Sequence, residues 1–306
     1  MLDKTTLKNR ILVLDGAMGT MIQRYNLTEE DFHKGLPENS HELKGNNECL
    51  NISHPEIIEE IHKEYIAAGA DIIETNTFSA NRISQKEYGT EALAYTLALE
   101  GVRIARRAAG SEILVFGSVG PTSKSLSLAP DINNPAERPY SFRDMAEAYD
   151  EQIRGLIDGG VDAILIETCF DALNTKAALY ALEKIDRHFP AVVSVSVNDK
   201  SGRTLTGQTL QAFDTSVSHY PLLAFGLNCS LGADDLTPLL NEVAGFSLFP
   251  VSCYPNAGLP NEMGGYDETP EEMAESVRKM AEAGLLNIIG GCCGTTPAHI
   301  AAISAA

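Results

Sequence analysis

Short apolar runs recur along the chain, and longer stretches with apolar residues at helical spacing lie between them. Apolar runs bounded by Gly, Pro, Asn or Asp are typical of buried strands. Eight such runs predict strands over residues 11–15, 71–76, 113–118, 163–167, 192–197, 222–228, 247–253 and 287–291. The stretches between them predict amphipathic helices, including residues 55–68, 91–108, 142–157 and 270–283.

This alternation of strand and helix sets the expected fold. Eight repeats in 306 residues predict a parallel (β/α)8 TIM barrel. An open, doubly wound sheet is the alternative that the same alternation allows. No low-complexity linker interrupts the pattern, so we expect residues 1–306 to form a single domain.

The predicted connections differ in length according to their direction. Links from helix to strand are short and contain glycine, as at residues 68–70, 159–160 and 283–284. Links from strand to helix are long, at residues 16–54, 119–140, 198–209 and 254–269. In a (β/α)8 barrel the long βα loops lie at the C-terminal face, where ligands bind. We therefore expect the functional site at that face.

Charge and cysteine content narrow the class of protein. The formal net charge is −19 at pH 7, which opposes binding to nucleic acid and to anionic membrane surfaces. No apolar run approaches the length of a membrane span, and the first residues lack a signal-peptide apolar region. The six cysteines lack the spacing of a small disulfide-rich scaffold. We expect reduced thiols and a cytoplasmic protein.

Three cysteines follow predicted strand ends, in Gly226-Leu-Asn-Cys229 and in Gly290-Gly-Cys292-Cys293-Gly294. Neighbouring residues of a regular strand point to opposite faces, but flanking glycines permit a bent backbone that aims both sulfurs at one point. A vicinal disulfide between Cys292 and Cys293 is the competing interpretation, although it would be strained. Three converging cysteines would suit zinc, with one coordination position left open.

Polar residues at other predicted strand ends indicate which kind of ligand would bind beside the open zinc coordination position. Asp15 and Glu167 each close an apolar run, and a buried carboxylate there needs a positive partner. The backbone N–H groups of Gly16 and Ala17 can face an anion. An ammonium site beside a carboxylate site describes an α-amino acid as the ligand.

Four further residues carry open alternatives. Asn256, in a turn after the seventh predicted strand, is a candidate fourth zinc ligand before substrate binds, with water or a simple turn-capping role as the alternatives. Cys253 also lies at a strand end but lacks a neighbouring glycine, so its role as a ligand is ambiguous. His62 is expected either on a helix surface or hydrogen-bonded in the core, and His299 is expected to be structural.

The motifs Asp15-Gly-Ala-Met-Gly-Thr20, Glu74-Thr-Asn-Thr-Phe78, Gly226-Leu-Asn-Cys229 and Gly290-Gly-Cys-Cys-Gly294 together resemble the homocysteine S-methyltransferase family. The resemblance covers nearly the whole chain. Segments at residues 22–33, 45–47 and 50–52 are most similar to the N-terminal homocysteine-binding module of cobalamin-dependent methionine synthase, rather than to the betaine-dependent branch.

The resemblance implies a zinc-bearing barrel, with zinc held by Cys229, Cys292 and Cys293. It implies recognition of L-homocysteine by Asp15, by the Gly16–Ala17 backbone and by Glu167. It also implies methylcobalamin as methyl donor, methionine as product, and partner modules that carry cobalamin and methyltetrahydrofolate. The alternatives are a methyltransferase that uses betaine or S-methylmethionine, a homocysteine-binding module without turnover of its own, and a structural zinc site.

Overall fold

The computed structural model describes residues 4–38 and 41–306. Its eight strands are all parallel and hydrogen-bond in the order β1-β8-β7-β6-β5-β4-β3-β2. They are β1 (Leu12–Val13), β2 (Ile72–Glu74), β3 (Leu114–Val119), β4 (Ala163–Cys169), β5 (Ala191–Val195), β6 (Ala224–Gly232), β7 (Val251–Asn256) and β8 (Ile288–Ile289).

The ring closes between its first two strands. Leu14 forms an isolated parallel bridge with Ile72, and Asp15 N donates to Ile72 O at 3.0 Å. The strands therefore form a nearly closed barrel surrounded by helices. The predicted (β/α)8 barrel is confirmed, and the open doubly wound sheet is wrong.

The described helices are α1 (Lys4–Asn9), α2 (Met18–Gln23), α3 (Glu29–His33), α4 (Leu50–Ser53), α5 (Pro55–Ala67), α6 (Arg82–Gln85), α7 (Ala94–Ala109), α8 (Phe142–Gly159), α9 (Ala172–Ile185), α10 (Leu210–Val217), α11 (Ala233–Phe246), α12 (Pro270–Glu282) and α13 (Pro297–Ala305). Short 3-10 turns precede or follow α4, α6 and α7. Within the described residues, none of these helices combines the length and apolarity that crossing a membrane requires.

Local sequence signals set several helix boundaries. Helix α8 begins at a capping box in which Ser141 and Asp144 satisfy each other's backbone N–H groups. It ends at Gly160, whose φ of 92° suits a residue without a Cβ. Thr296 is the N-cap of α13 and Pro297 its first residue, where its missing N–H costs no hydrogen bond.

Apolar side chains fill two regions, inside and outside the ring of strands. Inside, alternate strand residues pack across the barrel, among them Leu12, Ile72, Phe116, Leu165 and Val192. Outside, the other strand residues pack against the inner faces of the helices in one large cluster. Because the strands are buried on both faces, their sequences are continuously apolar and do not alternate between apolar and polar residues.

Three differences between the predicted and the observed boundaries affect the candidate site. Residues 16–54 were expected to be a loop, yet they contain α2, α3 and α4. Strand β6 continues to Gly232 instead of ending at 228, so Cys229 lies within it. Strand β7 begins at Val251 and includes Asn256 as its last residue, so Asn256 is not in a turn after the strand.

Candidate metal and amino-acid site

The sulfur atoms of three cysteines meet at the C-terminal face of the barrel. Cys293 Sγ lies 3.8 Å from Cys229 Sγ and 4.0 Å from Cys292 Sγ, and all three atoms lie within 4.8 Å of one another. A tetrahedral zinc with bonds of about 2.3 Å holds its sulfur ligands about 3.8 Å apart. The three side chains therefore fit zinc and leave one of its four coordination positions open.

The cysteines are free thiols, so the vicinal disulfide between Cys292 and Cys293 is wrong. Hydrogen bonds with the other two thiols lower the pKa of Cys293 to about 3. The thiolate is the form of cysteine that binds metal. Cys253 is buried in the core and does not belong to this group of sulfurs.

Unusual backbone conformations bring the sulfurs together. Cys229 and Ser230 have φ of 62° and 64°, where the pairing of β6 with β7 shifts register between Asn228 and Gly232. Such an irregularity re-aims a side chain that a regular strand would direct elsewhere. Gly294 has φ of 82°, and a Cβ there would lie 2.3 Å from Cγ of Tyr266. Only glycine allows Tyr266 to pack against the cysteine turn in this way.

Asn228 supports this geometry and was absent from the predicted site residues. Its Oδ1 accepts from Thr168 N at 3.0 Å and from Ser194 Oγ at 2.7 Å. Its Nδ2 donates to Thr168 Oγ1 at 2.9 Å and lies 4.0 Å from Cys292 Sγ. Its place directly before Cys229, at the end of an apolar run, was the available sequence signal.

Three carboxyl groups face the same space from neighbouring parts of the barrel. Asp15 and Glu167 are buried, and Glu74 is the last residue of β2. Glu74 N donates to Asp15 Oδ2 at 3.1 Å, while Asp15 Oδ1 is buried without a hydrogen-bond partner. Ser118 Oγ donates to Glu167 Oε1. Burial raises the pKa of Glu167 to about 7 and raises the pKa of Asp15 well above its usual range.

The cysteines and these three carboxyl groups line one cavity of about 700 Å³, together with a fourth carboxyl group, that of Glu48, which accepts a hydrogen bond from Ser79 N at 2.6 Å. The residues that line it include no lysine, arginine or histidine. Gly16 and Ala17 also line it, but Ala17 N donates to Thr295 Oγ1 at 3.1 Å, so in this conformation it is engaged and not presented to an anion. Thr295 Oγ1 in turn donates to Cys292 O at 2.6 Å, which links the Gly16–Ala17 segment to the cysteine turn.

Asn256 lies close to the cysteine turn without lining the cavity. It is buried, and its Oδ1 has no hydrogen-bond partner. Pro255 O accepts from Cys292 N at 2.7 Å, and Ala257 N donates to Cys293 O at 2.9 Å. An amide oxygen that capped its own turn would accept a hydrogen bond there, so Asn256 Oδ1 does not cap a turn in this conformation.

A (β/α)8 barrel that gathers three thiols and four carboxyl groups in one C-terminal cavity has the fold and the site of a thiol-rich barrel enzyme. The family described as Homocysteine S-methyltransferase matches residues 12–306, and the chain belongs to this family. It is a methyltransferase.

Solved structures agree with this assignment. The metallated form of the homocysteine methyltransferase MmuM from Escherichia coli matches with a TM-score of 0.77 and 27% identity, over 97% of this chain and 96% of that chain. Its oxidized form matches with a TM-score of 0.78 and 25% identity, over 98% and 97%. A 2-naphthoyl-CoA reductase complex, 10% identical with a TM-score of 0.56 over 91% and 47%, shares the fold alone.

Proposed function

We propose that this protein methylates the sulfur of L-homocysteine and so forms methionine. The observation that carries the proposal is the cavity, which places three converging thiols and four carboxyl groups within reach of one small amino acid. Zinc held by Cys229, Cys292 and Cys293 would bind the substrate thiol as a thiolate, the nucleophilic form.

The chain's other residues orient the substrate in this proposal. Glu167 and Asp15 bind its ammonium group, because both are buried and no basic side chain lines the cavity. The Gly16–Ala17 backbone binds its carboxylate, which requires Ala17 N to exchange Thr295 Oγ1 for the substrate. A thiol analogue without an amine should therefore bind much more weakly than homocysteine.

Methylcobalamin is the proposed methyl donor, carried to the cavity by a separate cobalamin-binding module. Among the described residues, nine large hydrophobic side chains are exposed, and six of them lie on βα loops at the face that carries the cavity: Phe78, Leu128, Ile132, Leu205, Leu259 and Met263. This apolar rim suits a large donor presented from outside, because five of its six side chains, all except Phe78, do not line the cavity.

A small onium donor, such as S-methylmethionine or betaine, is the second candidate. One observation favours it: a cavity lined by carboxyl groups and thiols, without a basic side chain, attracts a cationic sulfonium or quaternary ammonium. The volume of about 700 Å³ also accommodates two ligands of amino-acid size.

A donor assay separates these candidates. Zinc-loaded protein is incubated with L-homocysteine and either methylcobalamin, S-methylmethionine or betaine, and methionine is quantified by mass spectrometry. We expect turnover with methylcobalamin. Turnover with only a small onium donor would assign the second candidate, and none with any donor would leave a homocysteine-binding module that needs its partners.

A matched pair of variants tests the rim. Met263 is 96% exposed on the βα loop after β7, and Leu248 is 93% exposed between α11 and β7, at the opposite face. Met263→Ser should lower the rate with methylcobalamin, while Leu248→Ser should leave it unchanged. Equal rates in the two variants would remove the support that the rim gives to a large donor.

Asn256 is proposed as the zinc ligand that homocysteine displaces. Its strand β7 lies between β6 and β8, which carry or precede the three cysteines. Its buried, unpartnered Oδ1 needs a positive partner or a donor. A neutral amide oxygen is a weak zinc ligand beside thiolates, so a substrate thiol would replace it readily.

A further inference from the structure

Glu74 is a further carboxyl group in the cavity and has no role in the function proposed above. Its carboxyl group and that of Glu167 lie close enough to share a hydrogen bond. Both groups line the cavity, and Ser118 donates a further hydrogen bond to Glu167. Two carboxyl groups form a hydrogen bond only when one of them carries a proton, because ionised carboxylates have no donor.

The surroundings explain why this proton is retained. Asp15 on the β1 side, Tyr254 of β7 and the cysteine turn after β8 face the pair, and all of them are neutral or negative. Among the described residues, no lysine, arginine or histidine lines the cavity to balance a second negative charge. Burial and the neighbouring carboxylates raise the pKa of Glu74 well above its usual range.

We propose that Glu74 binds the substrate ammonium together with Glu167, and that the proton shared by the two carboxyl groups is released to solvent when the ammonium enters. The ammonium takes the place of the released proton, so both carboxylates are ionised and share one cation, and the net charge of the pair with its cation stays at −1. This inference rests on homocysteine being the substrate. It predicts that homocysteine binding releases two protons at pH 7, one from the thiol and one from the carboxyl pair.

Calorimetry in buffers of different ionisation enthalpy counts these protons. Zinc-loaded wild-type protein should release about two protons with L-homocysteine and about one with 4-mercaptobutanoate, which has the thiol and lacks the ammonium. Glu74→Gln should release about one proton with either ligand, because an amide keeps the hydrogen bond to Glu167 but has no proton to lose. Glu74→Asp should restore the second proton with homocysteine.

Two outcomes would overturn the proposal. One is an equal proton count for homocysteine in wild type and Glu74→Gln, and the other is an equal count for homocysteine and 4-mercaptobutanoate in wild type. Glu242→Gln, at an exposed position, should release the same number of protons as wild type with each ligand. Failure of the proposed function would be seen in a different measurement. If a zinc-edge spectrum showed no fourth sulfur in the presence of homocysteine, the substrate thiol would not bind zinc, whatever number of protons is released.

Discussion

Asn228 on β6 holds Thr168 on β4 through two hydrogen bonds, from Thr168 N to Asn228 Oδ1 at 3.0 Å and from Asn228 Nδ2 to Thr168 Oγ1 at 2.9 Å. Ser194 of the intervening β5 donates to the same Oδ1. Thr168 has φ of 54° and Cys229 has φ of 62°. One carboxamide therefore ties three strands at the point where two of them leave regular geometry, directly beside the cysteines.

Asn228→Ala should lower both the stability of the fold and the affinity for zinc. It leaves the Thr168 amide and the Ser194 hydroxyl buried without their acceptor, at a cost of about 1–3 kcal/mol for each group. It also frees Cys229 from its strained conformation. Urea unfolding and competition with a zinc chelator measure the two effects. Asn241→Ala, which removes one exposed amide, should change neither quantity.

The cysteine assignment predicts a sharp difference among four alanine variants. Cys229→Ala, Cys292→Ala and Cys293→Ala should each lose stoichiometric zinc, because two thiolates hold the metal far more weakly than three. Cys253→Ala should keep one equivalent of zinc, since its sulfur is buried in the core away from the other three. Metal analysis after gel filtration is the measurement, and full occupancy in Cys292→Ala would contradict the assignment.

Glu167→Gln should weaken homocysteine binding while zinc stays in place. Loss of one partner of a buried ion pair costs about 3–5 kcal/mol, or at least about a hundredfold in Kd. Calorimetric titration measures the affinity, and metal analysis checks the zinc content. An unchanged Kd would give Glu167 a structural role through its hydrogen bond with Ser118.

The site could be predicted from the motifs at the strand ends because a (β/α)8 barrel gathers all its C-terminal strand ends at one face. That rule was enough to place Asp15, Glu167 and the three cysteines together. It could not supply the backbone at Cys229 and Ser230, because left-handed conformations of these residue types have no local sequence signature. Tertiary contacts such as those of Asn228 impose them.

Other errors have equally local causes. Residues 247–249 read as part of an apolar strand, yet Leu248 is 93% exposed and β7 begins at Val251. Apolar content does not distinguish a strand from the link that precedes it. The observed β7 lies further toward the C-terminus than the predicted strand. Asn256 is therefore inside the strand, and the turn that was expected to orient its side chain is not there. Glu74 was visible as a strand-end carboxyl group, but its pairing with Glu167 depends on the closed barrel.

The zinc environment should respond to Asn256. In wild type, a zinc-edge spectrum should show three sulfurs and one oxygen or nitrogen, changing to four sulfurs with homocysteine. In Asn256→Ala, water should take the fourth position at a different distance, and homocysteine should bind up to about tenfold more tightly because no side chain competes. An unaltered spectrum together with an unaltered Kd would make water the ligand in the wild-type protein as well.

His62 predicts an acid-sensitive step in stability that is independent of the site. The structure contradicts both expectations for it, since it is fully buried in α5 and neither ring nitrogen has a hydrogen-bond partner. Burial lowers its pKa from 6.5 to about 4, so between these pH values the unfolded chain binds the proton and the folded protein does not. Stability therefore falls as pH drops through this window, by about 3 kcal/mol in total for this group.

His62→Leu should remove this contribution. We expect the free energy of unfolding of wild type, relative to His62→Leu, to decrease by about 2–3 kcal/mol between pH 7 and pH 4.5. Urea unfolding of zinc-free protein measures it, so that acid loss of metal does not contribute. His188→Leu, at an exposed position, should show the same pH dependence of the free energy of unfolding as wild type. The free energies of unfolding of His62→Leu and wild type could instead show the same pH dependence. The buried imidazole would then have to gain a hydrogen-bond partner when it is protonated, through an opening of α5 that admits water.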